Sequence, residues 1–224
     1  MEKYFVLSFD DGTTSDRRVI DILNKYNLRA TFNLNSGLQD YKYYMEGKLI
    51  ERLDLKSNVE LYKNHEVASH TLTHANLFKI SKEEALNEVI KDINNLESIF
   101  NRKITSIGIP YADYDEDRIN LIKESTSLKC FRFPSMKAID DFSMPIDPYH
   151  IPKNAIYDDP DAIDKIKAYI NSDIEKGIFV LLADPYKIEV YNKWDYFESL
   201  IKLISESKEL TVLPFSEAAA KLFN

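Results

Sequence analysis

The chain has 224 residues, of which 44% are apolar and 29% charged, a globular balance that excludes disordered and fibrous classes. Its 29 basic and 37 acidic residues give a net charge of −8, with no Lys/Arg cluster to favour nucleic acid and no apolar run near the roughly 18 residues of a membrane span. The single cysteine, Cys130, excludes a disulfide framework and reads as a small buried hydrophobe.

The opening MEKYFVLSFDDG has no basic leader followed by an apolar core, so a cytoplasmic location is expected. Five glycines and no Pro- or Ser-rich linker favour one domain over residues 1–224. Short β-branched and aromatic runs predict strands at 4–9, 29–34, 66–69, 104–109, 129–132, 149–151, 178–182 and 210–212. Amphipathic stretches between them predict helices at 15–26, 51–64, 81–100, 116–124, 159–170, 194–207 and 216–222. Ser81 and Glu84 form a capping box for the third helix, and Asp159-Pro160 reads as the cap and first position of the fifth. The stretches 35–48 and 138–156 are the loops expected to set substrate choice, and apart from the strand at 149–151 their conformations do not follow from the sequence. Seven or eight strand–helix units in 224 residues suit an irregular α/β barrel, with an open doubly wound sheet as the alternative.

In such folds function gathers where strands hand over to helices, and three of these points are unusually polar. Ser8-Phe9-Asp10-Asp11-Gly12 places two carboxylates together at a strand end, where they repel unless a cation or proton answers one. Asp-Asp-Gly is also an ordinary turn and cap sequence. His65 through His74 holds three of the four histidines. His70 and His74 stand four apart, a spacing that puts both imidazoles on one face of a helical turn, where they suit a divalent metal. His65 reads as structural. Pro110-Tyr111 after another strand can aim a backbone N–H at a ligand, or can be a loop with a buried aromatic.

Together the three segments resemble the polysaccharide deacetylase family, carbohydrate esterase family 4. Ser8–Gly12 is similar to its first motif, with Ser where Thr is usual, and Ser69-His70-Thr71-Leu72-Thr73-His74 matches its second. Ala30-Thr31-Phe32, Lys193-Trp194 and the stretch 211–217 are also similar, so the likeness runs from about residue 4 to 222. The resemblance implies an irregular (β/α)7 barrel and one divalent metal, zinc before cobalt, nickel or manganese, held by Asp11, His70 and His74. It implies Asp10 as general base and the Tyr111 backbone N–H as oxyanion donor. The substrate expected is an acetylated carbohydrate or small molecule, with no nucleic-acid or membrane partner.

Two positions depart from the family. An Arg is usual two residues before Pro110, where this chain has Gly108; Arg132 is a candidate replacement, or a surface arginine. A His acting as general acid is usual where this chain has Asp184, which would need a raised pKa to donate a proton at neutral pH. His150 is a second candidate acid, or a loop residue. Tyr41, Tyr43, Tyr44 and Tyr149 are candidates for stacking on sugar, or for packing. Two functions follow: a metal-dependent deacetylase with an altered acid, or a metal-binding homologue that binds a glycan with little turnover. The charge of −8 disfavours an anionic polymer, and a cytoplasmic chain points away from cell-wall polymer.

Overall fold

The computed structural model describes residues 2–113, 115–133, 142 and 144–223. Ten strands are present among them: β1 (Glu2–Asp10), β2 (Thr31–Leu34), β3 (Lys42–Met45), β4 (Lys48–Glu51), β5 (Glu66–Ser69), β6 (Ser106–Gly108), β7 (Cys130–Arg132), β8 (Ala155–Ile156), β9 (Lys176–Ala183) and β10 (Leu210–Val212). Seven helices accompany them: α1 (Asp16–Lys25), α2 (Lys82–Phe100), α3 (Glu116–Ser125), α4 (Ala162–Asn171), α5 (Pro185–Val190), α6 (Trp194–Glu206) and α7 (Phe215–Phe223).

The main sheet is parallel, in the order β7-β6-β5-β2-β1-β9-β8. β1 is its axis: it pairs with β9 along eight residues and divides its other edge between β10 at Lys3–Phe5 and β2 at Ser8–Asp10. The sheet curls until residues 148–156 join its two edges. Phe131 N donates to Pro148 O at 3.0 Å and Phe133 N to Ile151 O at 2.8 Å. On the far side Asn154 N donates to Val180 O at 2.9 Å before β8 pairs with β9. This is the irregular seven-stranded barrel that the alternation of strands and helices predicts. Both faces of β1 and β9 are buried: Tyr4, Val6, Ile178 and Val180 cluster with Cys130, Ile151 and α7, while Phe5, Leu7, Phe9 and Phe179 cluster with the other helices, where the rings of Phe5 and Phe179 stack at 5.0 Å.

Most predicted elements stand within a few residues of their expected limits. In α2 the Ser81–Glu84 capping box forms in both directions. Cys130 is buried as expected. Three expectations fail for local reasons. Residues 51–64 are not an α-helix, because Leu53 N bonds Gly12 O and Arg52 N bonds Tyr41 O, each at 2.9 Å, in place of helical partners. Only a kinked 3₁₀ stretch, Lys56–Tyr62, follows. Asp159 does not cap α4; its carboxylate accepts from Ile156 N at 2.8 Å to turn the chain after β8, and the helix begins at Ala162. Residues 149–151 supply one bridge, Ile151 to Arg132, while the paired strand lies at Ala155–Ile156. A hairpin, β3–β4, begins within the 35–48 stretch and runs on to Glu51, turning through Glu46 and Gly47 at φ 49° and 75°. Two successive positive φ values are the two-residue geometry that favours glycine at the second place. Among the described residues no helix is long and apolar enough to cross a membrane.

Candidate active site

The strands deliver their polar ends to one mouth of the barrel. Asp10 closes β1, His70 follows β5, Pro110 and Tyr111 follow β6, Arg132 closes β7 and Asp184 follows β9. All of these, with Asp11 and His74, line a single cavity of about 190 Å³. His150 does not: its ring nitrogens meet Asp147 at 2.7 Å and Glu116 at 3.2 Å, away from that cavity. His65 is structural, its Nδ1 accepting from Ala30 N at 3.3 Å and its ring against Phe32.

The two adjacent carboxylates have separate answers. Asp10 is gripped by Arg132, Nη1 to Oδ1 and Nη2 to Oδ2 at 2.7 Å each, and accepts from Asn33 Nδ2 at 2.8 Å. Burial alone would raise its pKa, but the Arg132 charge and these hydrogen bonds prevail and hold the carboxyl near 2. Arg132 is itself buried, which removes the surface reading. Its path depends on Gly108, its partner across β6–β7. A Cβ on Gly108 would stand 2.7 Å from the Asn33 side chain and 2.9 Å from Arg132 Nη2. The arginine that the resemblance places on β6 is replaced by one arriving from the neighbouring strand, through the space a side chain at 108 would fill.

Asp11 turns the chain at φ 87°. Its Oδ1 is buried and accepts no hydrogen bond among the described residues, although Arg52 Nη2 lies 3.0 Å away without hydrogen-bond geometry. His74 Nε2 stands 3.6 Å and His70 Nε2 4.0 Å from that oxygen. His70 Nδ1 faces the Gly108 carbonyl, which can only accept, so Nδ1 carries the proton and Nε2 presents a lone pair. Burial keeps this ring neutral, with its pKa lowered to about 4. Three lone-pair donors converge within 4.8 Å of one another, and Asp11 Oδ1, though ion-paired with Arg52, is a buried oxygen with no hydrogen-bond donor. The donor set therefore fits a divalent ion.

The two histidines meet without a helical turn. Left-handed backbone at Thr71 (φ 65°) and His74 (φ 56°) folds the segment back, bringing the rings to 4.8 Å. Such conformations are strained for threonine, and the surroundings hold them. Asn35 Nδ2 donates to the carbonyls of His70 and Thr71, while Arg52 Nη1 donates to Asn35 Oδ1 at 2.7 Å and to Asp11 O. Asp92, buried on α2, accepts from Ser69 Oγ at 2.6 Å and from His70 N at 3.2 Å. Arg52, Asn33, Asn35 and Asp92 escape a reading of local motifs. Asp92 alone leaves a trace, an acid among Val89, Ile93 and Leu96 on the apolar face of α2.

On the β9 side, Asp184 Oδ2 lies 2.5 Å from Lys187 Nζ. Burial first, then the charges of Asp10 and Asp11, push its carboxyl up to about 6 against the pull of Lys187. Tyr111 adopts φ 64° and rests its half-exposed ring on His74 at 5.0 Å.

A family model described as polysaccharide deacetylase matches residues 1–127. The chain belongs to the polysaccharide deacetylase family. Its match spans both aspartates, both histidines and Tyr111, and ends before Arg132 and Asp184. Curated relatives include the peptidoglycan-N-acetylglucosamine deacetylase PgdA of Listeria monocytogenes serotype 1/2a (strain 10403S), 32% identical over 91 residues, 40% of this chain and 17% of that protein. Another is the peptidoglycan-N-acetylmuramic acid deacetylase PdaC of Bacillus subtilis (strain 168), 29% identical over 130 residues, 57% of this chain and 25% of that protein. The chain thus spans a quarter or less of either. Among solved structures, a CE4-family pseudoenzyme from Bacillus anthracis superposes with a TM-score of 0.62 at 16% identity, covering 97% of this chain and 66% of that one. A family 4 carbohydrate esterase from Streptomyces lividans does so at 0.57 and 15%, covering 93% and 91%. These likenesses place the barrel within the polysaccharide deacetylase fold.

Proposed function

We propose that this chain is a metal-dependent hydrolase that removes acetyl groups from an N- or O-acetylated carbohydrate. The observation that carries the reading is the Asp10–Arg132 pair beside the Asp11/His70/His74 donor set: a base held ionised next to a place for a cation. Zinc, or cobalt, nickel or manganese, held by those three residues would supply Lewis acidity toward the acetyl carbonyl and toward a nearby water. Asp10 takes the proton of the attacking water, with Arg132 fixing the orientation of its carboxylate. The backbone N–H of Tyr111 stabilises the developing oxyanion, and Pro110 shapes that wall. Asp184 gives a proton to the leaving amine or alkoxide.

Acetate release from acetylated chito- and xylo-oligosaccharides by the zinc-loaded protein tests this. Release well above that of Asp10→Asn supports a hydrolase; release equal to it means that the site binds without turnover. His74→Ala should remove stoichiometric zinc by elemental analysis, and undiminished zinc would place the metal elsewhere. The acid is tested by pH. With Asp184 titrating near 6, its proton is available below that pH and lost above it, so activity should fall on the alkaline side. Asp184→Asn should erase that limb and slow the reaction about 10²-fold; an unaltered limb excludes Asp184.

A further inference from the structure

At the end of the barrel opposite the catalytic mouth lies another cavity, of about 210 Å³. It opens between the N-terminal ends of three neighbouring strands: Arg29 precedes β2, His65 precedes β5, and Arg102 and Lys103 precede β6. With Lys63, four cations line it against two carboxylates, Glu66 and Glu217, in a chain whose net charge is −8. None of these residues takes part in the chemistry above.

Charge alone would make this a solvated basic face, and three of the cations have carboxylate partners. Arg29 forks onto Glu217 at 2.7 and 3.0 Å, Lys63 meets Glu60 at 3.5 Å and Lys103 meets Glu97 at 2.8 Å. Two buried donors are different. Nδ1 of the buried His65 accepts from Ala30 N at 3.3 Å, so the neutral ring carries its proton on Nε2, and that N–H has no acceptor among the described residues. Burial, reinforced by the charges of Arg29 and Arg102, keeps the ring neutral with its pKa lowered to about 4. Beside it the half-buried Arg102 donates from Nη1 to His65 O at 2.8 Å and from Nη2 to Tyr62 O at 3.3 Å, while its Nε–H is buried without an acceptor among the described residues. Glu66 lies close enough for its charge to act on Arg102, but its oxygens accept from Thr31 Oγ1, Ser106 Oγ and Ser216 N instead. Two unanswered buried N–H groups, one on a guanidinium and the other flanked by cations, are costly in a folded protein, and an anion answers both.

We propose that this cavity binds a phosphate group, free or carried as a monoester, with His65 and Arg102 at its floor and Lys63 and Lys103 closing on it from the rim. A tetrahedral oxyanion has enough oxygens to meet donors that converge from three strand ends, whereas a carboxylate has two. The Lys63 and Lys103 side chains are 63% and 81% accessible, so both can turn from their exposed partners toward the anion at little cost. A neighbouring cavity of about 480 Å³ shares Arg29, Lys63 and Asn64 with this one and gives the organic part of a monoester a place to lie. The site stands apart from the catalytic cavity and does not depend on the deacetylase reading.

The test is calorimetric titration of inorganic phosphate and of glycerol 3-phosphate into the zinc-loaded protein, at ionic strength held constant with sodium chloride. Phosphate can also sit on a catalytic metal, so both titrations are repeated on His74→Ala. One equivalent should bind saturably in the parent and in His74→Ala alike. Arg102→Gln should weaken that binding about tenfold or more, the loss expected for a charge-assisted hydrogen bond. Should Arg102→Gln fail to fold, the double variant Lys63→Ala/Lys103→Ala alters exposed side chains only and should weaken binding by less. In nitrogen-resolved spectra of the imidazoles, the His65 Nε2 proton should shift on adding phosphate. Tighter binding of glycerol 3-phosphate than of phosphate identifies a monoester as the ligand, and equal or weaker binding identifies the free ion. No saturable binding of either, binding lost in His74→Ala, or affinity indifferent to the Arg102 and lysine variants overturns the site and leaves ordered water as the partner of the two donors.

Discussion

Arg132→Met should destabilise the metal-free protein by about 3–5 kcal/mol at pH 7, because it leaves the buried Asp10 charge without its bidentate partner. Both side chains are nearly inaccessible, so solvent does not replace the lost cation. The pH dependence distinguishes this from lost packing. In the parent protein Asp10 titrates near 2, below its ordinary 3.8, so the pair's contribution is fully present above about pH 4 and disappears as pH falls through 2. Without Arg132 the burial effect is left, which raises the pKa instead. The gap between variant and parent should therefore be widest at pH 7 and shrink toward pH 3 in denaturant unfolding with chelator present. A gap that is the same at all pH values would mean that only packing was lost. Arg132→Met should also lower acetate release about 10²-fold or more, since the base is neither held nor kept ionised. Arg132→Lys should recover part of the stability and less of the rate, because an ammonium cannot reproduce the fork.

Gly108 gives an independent route to the same pair. Gly108→Ala puts a methyl 2.9 Å from Arg132 Nη2, and the guanidinium must move. Part of its effect should disappear in the Arg132→Met background, the rest remaining because the same methyl stands 2.7 Å from the Asn33 side chain, and a double-mutant cycle measures that coupling directly. Additive effects would show that the two positions act separately.

The legible part of this molecule is the part carried by short segments. Alternation gave the barrel, and Ser8–Gly12 with Ser69–His74 gave the two carboxylates and two imidazoles of the cavity. Even there the spacing of His70 and His74 brought the two rings together through the wrong backbone: they converge because Thr71 and His74 are left-handed, not because the segment is helical. What sequence could not show depends on register and on distant side chains. That Gly108 and Arg132 are neighbours follows from the β6–β7 pairing; until that register is known, Arg132 is one candidate replacement for the missing arginine, with a surface reading beside it. Arg52 is hidden for a similar reason. The stretch 51–64 has helical periodicity, yet its amides are spent on Gly12 and Tyr41, which delivers the guanidinium to Asp11.

Asp92 shows how much of the site lies in such supports. Asp92→Ala should cost about 3–5 kcal/mol and weaken zinc binding about 10- to 100-fold, although the residue touches no ligand atom. One carboxylate oxygen accepts from Ser36 N at 2.8 Å and Ser36 Oγ at 2.6 Å, the other from Ser69 Oγ and His70 N. Removing it strands buried donors and frees the backbone that aims His70. Burial, only partly offset by these bonds, raises its pKa to about 6. The sign follows: above its unfolded value of 3.8, an acid raised in the folded state loses stability as pH climbs toward 6. Subtracting the stability curve of Asp92→Asn from that of the parent should isolate this slope between about pH 4 and 6, at up to about 1.4 kcal/mol per unit. The subtraction removes the parallel contribution of Asp16, raised to about 7 by its own burial. Asn keeps the shape but turns an amide NH₂ toward donors on one side, so zinc affinity should fall in Asp92→Asn as well, by less than in Asp92→Ala. Full zinc affinity in Asp92→Ala would show that His70 is aimed by its Gly108 contact alone.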